Sequence, residues 1–221
     1  MAEIKKNLEQ IKEKLGDDIT LVAVSKTKPN EDILEAYNTG HRDFGENKIQ
    51  DMTDKYEALP KDIKWHMIGH VQRNKVKYMA KYIHLIHSVD SLKLLKEINK
   101  RAKNEEREIK CLLQLKIAEE DSKYGLSKED LLAILDGDTL KSFNNVNIVG
   151  LMGMATFTDD ENQAHREFTQ LEKLYFELKD KHNFTTLSMG MSGDYELAQE
   201  HQTNMVRIGS KIFGKRDYDN W

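Results

Sequence analysis

The sequence predicts an α/β fold, a single (β/α)8 barrel over residues 1–221, on three observations. Short apolar or β-branched runs alternate with longer segments of helical spacing. About eight such runs fall within about 200 residues, and no Pro/Ser-rich linker or shift of composition divides the chain. Repeated strand-helix units imply a parallel sheet. Their count and total length suit a closed barrel better than an open doubly wound sheet, the competing architecture.

In chain order, Ile4, Leu8, Ile11 and Leu15 recur at helical spacing among Lys and Glu. Residues 3–15 should therefore form an amphipathic helix stopped at Gly16. The strand candidates follow: "LVAVSK", "RDF", "KWHMIG", "HLIHSV", "IKCLLQLKI", "NIVGLMGM", "TLSMG" and "MVRIG". "RDF" carries the weakest pattern, being so short. Helical spacing separates them, as in Leu92, Leu95, Ile98 and Ala102, or Phe168, Leu171, Leu174, Tyr175 and Leu178. About a dozen residues remain after "MVRIG", too few for a full final helix, so the N-terminal helix should cover that part of the barrel. The charged stretch "SVDSLKLLKEINKRAKNEERE" reads as a helix with an inward apolar stripe and a solvated outer face.

Composition narrows the function classes. Charged residues make up 33% and the formal net charge is -4, without the basic excess that nucleic-acid binding requires. The first residues lack the apolar region of a secretory signal, and no stretch approaches the roughly 18 apolar residues of a membrane span. A cytoplasmic protein is expected. The lone cysteine, Cys111, lies in a strand-like run, so neither an internal disulfide nor a thiolate metal cluster is expected and the thiol should be buried and inert.

Barrels of this kind build their sites from the C-terminal ends of strands and the loops beyond, which is where Lys26 falls. By strand alternation Lys26 shares a face with Val24 and Val22. If that face points inward, the amine crowns the barrel interior. Partial desolvation would then lower its pKa from about 10.4 and free its lone pair to attack an aldehyde. Alternatively the side chain extends outward from the strand end into solvent. "LSMGMSGD" and "VRIGS" follow the seventh and eighth strands, where such barrels bind phosphate. Their glycines permit close backbone approach, and Ser192 and Ser210 offer hydroxyls, although glycine turns are common. A phosphate cradle opposite a lysine suits a phosphorylated aldehyde, with pyridoxal phosphate the leading candidate. Arg207, on the face of Met205 and Gly209, either points toward the pyridine ring or pairs with a carboxylate elsewhere in the barrel.

Other patterns carry less. Ser25 and Lys28 match S-x-x-K without the accompanying acyl-enzyme motifs. His66 and His70 are four apart, but the zinc-site glutamate and an evident third ligand are lacking, so no metal is expected. "GSKIFGK" lacks P-loop spacing.

"VAVSKTKP", "FGENKIQD", "WHMIGHVQRNK", "SVDS", "EEDSKYGL", "IVGLMGMA", "LSMGMSGDYELA" and "MVRIGSKIFGKRDY" together resemble the YggS/PROSC family of pyridoxal phosphate homeostasis proteins, in that family's order and across nearly the whole chain. The resemblance implies a barrel similar to those of alanine racemase and eukaryotic-type ornithine decarboxylase, holding pyridoxal phosphate as an internal aldimine. Lys26 resembles the Schiff-base lysine. Met191, Ser192, Gly209 and Ser210 resemble the phosphate cradle, Arg207 the arginine near the pyridine nitrogen, and Asn47 and Ile68 residues lining the cofactor. Some relatives carry proline or threonine where this chain has His70 and Ser210.

The same resemblance implies a monomer that keeps pyridoxal phosphate and linked amino-acid pools in balance, with apo-enzymes as conceivable recipients and no established turnover. An arginine at the ring nitrogen disfavours protonation there and weakens the electron sink that carbanion chemistry uses. A racemase-like enzyme using the same site is the alternative, and a cofactor-free Schiff-base aldolase a third reading. The racemase needs a second base that the sequence does not single out.

Overall fold

In a computed structural model that describes residues 2–119 and 124–214, eight parallel strands close into a barrel in sequence order. They are β1 (Thr20–Val24), β2 (Asp43–Glu46), β3 (Lys64–Met67), β4 (Leu85–Val89), β5 (Ile109–Leu115), β6 (Val146–Gly153), β7 (Thr186–Met191) and β8 (Met205–Ile208). The described helices are α1 (Ala2–Leu15), α2 (Asn30–Asn38), α3 (Ile49–Ala58), α4 (Val76–Met79), α5 (Leu92–Asn104), α6 (Lys128–Asp136), α7 (Asp138–Lys141), α8 (Glu161–His182), α9 (Tyr195–Glu200) and α10 (Ser210–Phe213). Ring closure is made by β1 beside β8, with Val22 opposite Arg207 and Ala23 opposite Ile208. Each predicted strand run holds a strand. "RDF" qualifies because Gly45 and Glu46 extend it. β1 is shorter than expected, ending two residues before Lys26, because the Lys28 N-H donates to Ser25 O and turns the chain.

The ends of α1 and α10 explain how the barrel is sheathed. α1 stops at Gly16, which adopts φ +70°, a left-handed conformation that glycine takes without a Cβ penalty. α10 has only four residues, and α1 covers the neighbouring wall. Leu8, Ile11 and Leu15 are buried, Asn7 Nδ2 donates to Ile212 O at 3.1 Å, and Lys14 pairs with Glu196 of α9 at 2.8 Å.

Strand alternation creates two interiors. One lies between sheet and helices and includes Phe44, Trp65, Leu187 and Val206. The inward stripes of α5 (Leu94, Leu95, Ile98, Ala102) and α8 (Phe168, Leu171, Leu174, Tyr175, Leu178) pack there. Leu92 is only partly buried, because it opens the helix directly after the Ser91 cap. Within the barrel, Val22, Leu85, Leu112, Met152 and Met205 pack together, so the Val22 face of β1 does point inward. The axis is not wholly apolar: His66, His87, Ser188 and Arg207 are also buried. Cys111 is buried and its thiol is pushed well up by desolvation, in keeping with an inert side chain. No described helix is long and apolar enough to cross a membrane.

Candidate functional site

A cavity of about 580 Å³ opens at the C-terminal ends of the strands, within the size range of ligand sites. It gathers the eight residues singled out by sequence: Lys26, Asn47, Ile68, Met191, Ser192, Arg207, Gly209 and Ser210 all line it. Residues 120–123 of "EEDSKYGL" and 215–218 of "MVRIGSKIFGKRDY" lie outside the described residues.

The Lys26 side is held by its neighbours in sequence. Ser25, pointing outward from the barrel wall, donates its Oγ-H to Glu46 Oε1 at 2.6 Å. Lys55 Nζ, on α3, donates to both Glu46 Oε1 (2.7 Å) and Ser25 O (2.8 Å), fixing the peptide that precedes Lys26. Glu46 is fully buried, and its Oε2 has no hydrogen-bond partner among the described residues. Thr27 adopts φ +63°, where a turn ordinarily takes Gly or Asn. A left-handed non-glycine residue costs about 1–2 kcal/mol, so the Ser25 and Lys28 contacts hold a conformation that the chain would not adopt alone. Lys28 Nζ donates to Phe213 O at 2.7 Å and ties this turn to α10.

Across the cavity, the loops after β7 and β8 are joined by the Gly209 N-H, which donates to Ser192 Oγ at 3.2 Å. A Cβ at Gly209 would lie 3.0 Å from Val24 O, so glycine is what lets the end of β8 approach β1. Asp194 Oδ1 accepts the Met191 N-H at 2.6 Å and shapes the glycine-bearing loop. Burial pushes the Asp194 carboxyl up, an effect opposed by the Met191 N-H and the positive charge of Arg207. Arg207 is 3% exposed and bonds Ser188 Oγ and Gly153 O rather than a carboxylate. Burial brings its guanidinium down to about 10, leaving it protonated at neutral pH.

Several walls of the cavity were not singled out from sequence. Gln114 of β5 reaches Tyr124 O at 2.8 Å, and Tyr124 stacks on His70 with ring centroids 4.8 Å apart. A glutamine within the apolar run "CLLQLKI" is the signal that marks this position. Thr156 and Phe157 add the loop beyond β6. At the opposite mouth, Asp43 and His84 join His66, with one potential ligand atom from each within 4.8 Å of the others. His66 thus acquires the neighbours that its sequence spacing lacked.

The arrangement provides an amine, hydroxyl-bearing loops and a buried guanidinium around one partly apolar cavity. Those features define a barrel of the alanine racemase type: the family described as "Alanine racemase, N-terminal domain" matches residues 1–217, and the chain belongs to it. Within that family it falls in the YggS/PROSC group, whose curated members include the pyridoxal phosphate homeostasis proteins of Aquifex aeolicus and Homo sapiens. The first is 39% identical over 201 residues (90% of this chain, 87% of the relative), the second 40% identical over 212 residues (90% and 77%). Among solved structures, PipY of Synechococcus elongatus PCC7942 with pyridoxal phosphate bound is 33% identical, with a TM-score of 0.86 over 96% of this chain and 100% of that one. Alanine racemase of Clostridium difficile 630, 15% identical with a TM-score of 0.81 over 100% of this chain and 58% of that one, shares the fold.

Proposed function

We propose that this chain, acting as one unit over residues 1–221, binds pyridoxal 5'-phosphate covalently through Lys26 and serves the intracellular balance of that cofactor and of linked amino-acid pools. The observation that carries the reading is the meeting of Lys26 with Ser192, Gly209, Ser210 and Arg207 around one cavity at the barrel's C-terminal mouth. The relatives' names and the cofactor in the PipY structure support the same group. When bound, the cofactor supplies an aldehyde carbon that an unprotonated amine bonds reversibly with loss of water.

Each wall then has a task. Ser192 and Ser210 offer hydroxyls to the phosphate, with Met191 and Gly209 forming the backbone around it. Val24 and Ile68 supply apolar surface, and Asn47 a polar edge. Arg207, charged and buried, would offer a donor to the ring nitrogen and so would keep a proton off it. The family's cofactor-balancing name and this arginine together favour holding over turnover, in a cytoplasmic monomer that passes its cofactor to apo-enzymes.

Borohydride reduction of cofactor-saturated protein, followed by peptide mass spectrometry, should place a pyridoxyl adduct on Lys26, and Lys26→Ala should abolish both adduct and colour. An unmodified Lys26 in saturated protein would overturn the reading. Transfer to an apo-enzyme in the presence of a trap for free cofactor tests delivery separately.

A further inference from the structure

The polar groups along the barrel axis form one continuous chain. Arg207 Nη1 donates to Ser188 Oγ at 2.5 Å, and Ser188 Oγ lies 3.2 Å from His87 Nδ1. His87 Nε2 is 2.9 Å from His66 Nδ1, and His66 Nε2 is 3.0 Å from Asp43 Oδ1. Ser188, His87 and His66 are fully buried, and Arg207 nearly so. The chain begins in the cofactor cavity and ends at the N-terminal mouth, where Asp43 is 19% exposed and Lys64 Nζ stands 3.8 Å from its other oxygen.

Proton placement follows from the two ends. A guanidinium has donors only, so Ser188 Oγ accepts from Arg207 and its own hydroxyl proton is free to go to His87 Nδ1. His87 is neutral, because burial above all, with the Arg207 guanidinium adding to it, lowers its basicity far below the usual histidine range. With Nδ1 accepting, its proton sits on Nε2 and is donated to His66 Nδ1. His66 then carries its proton on Nε2 and donates to the Asp43 carboxylate. Each buried donor has an acceptor, and every bond runs the same way. The opposite setting would aim an N-H of His87 at Ser188, which already accepts from Arg207. The Ser188 hydroxyl would then have to find another acceptor inside the barrel or stay buried and unsatisfied, which is costly.

We propose that Asp43, His66, His87 and Ser188 form a one-way hydrogen-bond relay through the barrel. It fixes Arg207 at the cofactor's ring nitrogen and makes the bound cofactor respond to charge at the opposite mouth. The inference rests on the function proposed above. Asp43, His66, His87 and Ser188 are positioning residues, because they act through Arg207. The charged and titratable groups around His66 are Asp43 on β2, Lys64 on its own strand, His41 before β2, and His84 and His87 at β4, with Lys110 on β5 acting on His84. In the relay setting the Nε2 lone pair of His66 is protonated toward Asp43, so the Asp43, His66 and His84 group serves as the relay's terminus rather than a metal site.

Nitrogen-15 NMR of the histidine rings in cofactor-free protein at neutral pH tests the relay without any ligand. Both His66 and His87 should be neutral and protonated at Nε2. An Nδ1-protonated ring or a doubly protonated His66 overturns the proposal. Asp43→Asn keeps an acceptor oxygen but removes the charge. In cofactor-loaded protein it should leave the Lys26 adduct intact and move the pH midpoint of the visible band downward, since a negative partner of the cationic site is lost. Ser188→Ala, which cuts the chain at its other end, should make that midpoint insensitive to Asp43→Asn. If the adduct forms but the midpoint stays where it was in Asp43→Asn, the relay fails while the cofactor site stands. Absence of the adduct from the unsubstituted protein overturns the cofactor reading itself.

Discussion

His41 is 5% exposed just before β2, and its Nε2 is 2.8 Å from Asp43 O. A carbonyl accepts only, so Nε2 carries a proton and donates. Burial, with Lys12 adding to the effect, lowers the ring's pKa to about 4. Between about pH 6.5 and 4 the unfolded chain therefore takes up a proton that the folded protein refuses. Stability should fall on acidification through that window, by up to about 3 kcal/mol from this residue. Denaturant titrations at pH 7 and pH 4.5 should show the loss, and His41→Gln, which retains a donor for Asp43 O, should reduce it, the remainder belonging to the other buried histidines, His84 and His87. If the two proteins share the same pH slope, His41 is not its source. Residue-scale chemistry was partly legible from sequence. Strand parity set Lys26 on the face of Val22 and Val24 and left its direction open; in the structure Val22 packs inside the barrel and Lys26 lines the cavity. The partners of His87 and Arg207 were not, because Ser188 lies 101 positions from His87 and only barrel closure brings them together.

At the scale of elements, the mouth is framed by loops that α8 holds in place. Glu167 is 3% exposed. Its carboxylate accepts the Thr156 N-H at 2.6 Å, the Thr156 hydroxyl at 2.7 Å and the Glu119 N-H at 3.1 Å, linking the loops after β5 and β6 to one helix. Glu167→Ala removes that acceptor from three partly buried donors, at about 1 kcal/mol per lost hydrogen bond. Amide exchange at Thr156 and Glu119 should rise and cofactor release should quicken, both measurable by hydrogen-exchange mass spectrometry and stopped-flow absorbance. Unchanged exchange at both amides would show that the loops are held by other contacts. Strands were the legible elements because β-branched and apolar runs differ sharply from the charged helices between them. The short helices α4, α7, α9 and α10 were not, since pieces of four to six residues are too brief to show a helical period.

Across the whole molecule, stability depends on a helix from the start of the chain packing on a wall finished at its end. Leu8 on α1 is fully buried, and Asn7 bonds α10. Leu8→Ala should cost about 2–5 kcal/mol through lost burial and the cavity left behind. Thermal unfolding should show a lowered transition that stays cooperative, with the Lys26 site still able to bind. A transition confined to α1, with the barrel melting as before, would instead show that the helix is an independent appendage. The closed architecture itself was legible from strand count and length. The polar axis was not, because His66, His87 and Ser188 look like isolated polar residues within strand runs until the ring is closed.

That closure also sets an order in time. Val22 lies beside Arg207 and Ala23 beside Ile208, so the first strand has no partner on one side until the last has been made. A chain emerging from the ribosome displays Lys26 early, yet the loops carrying Ser192 and Ser210 come about 170 to 180 residues later. Pairing of such distant segments is slow to form. A nascent chain cut before Met205 should therefore offer an ordinary surface amine to the cofactor. The cavity at the C-terminal mouth is therefore completed last, and whatever it holds is taken up only after the ring has shut.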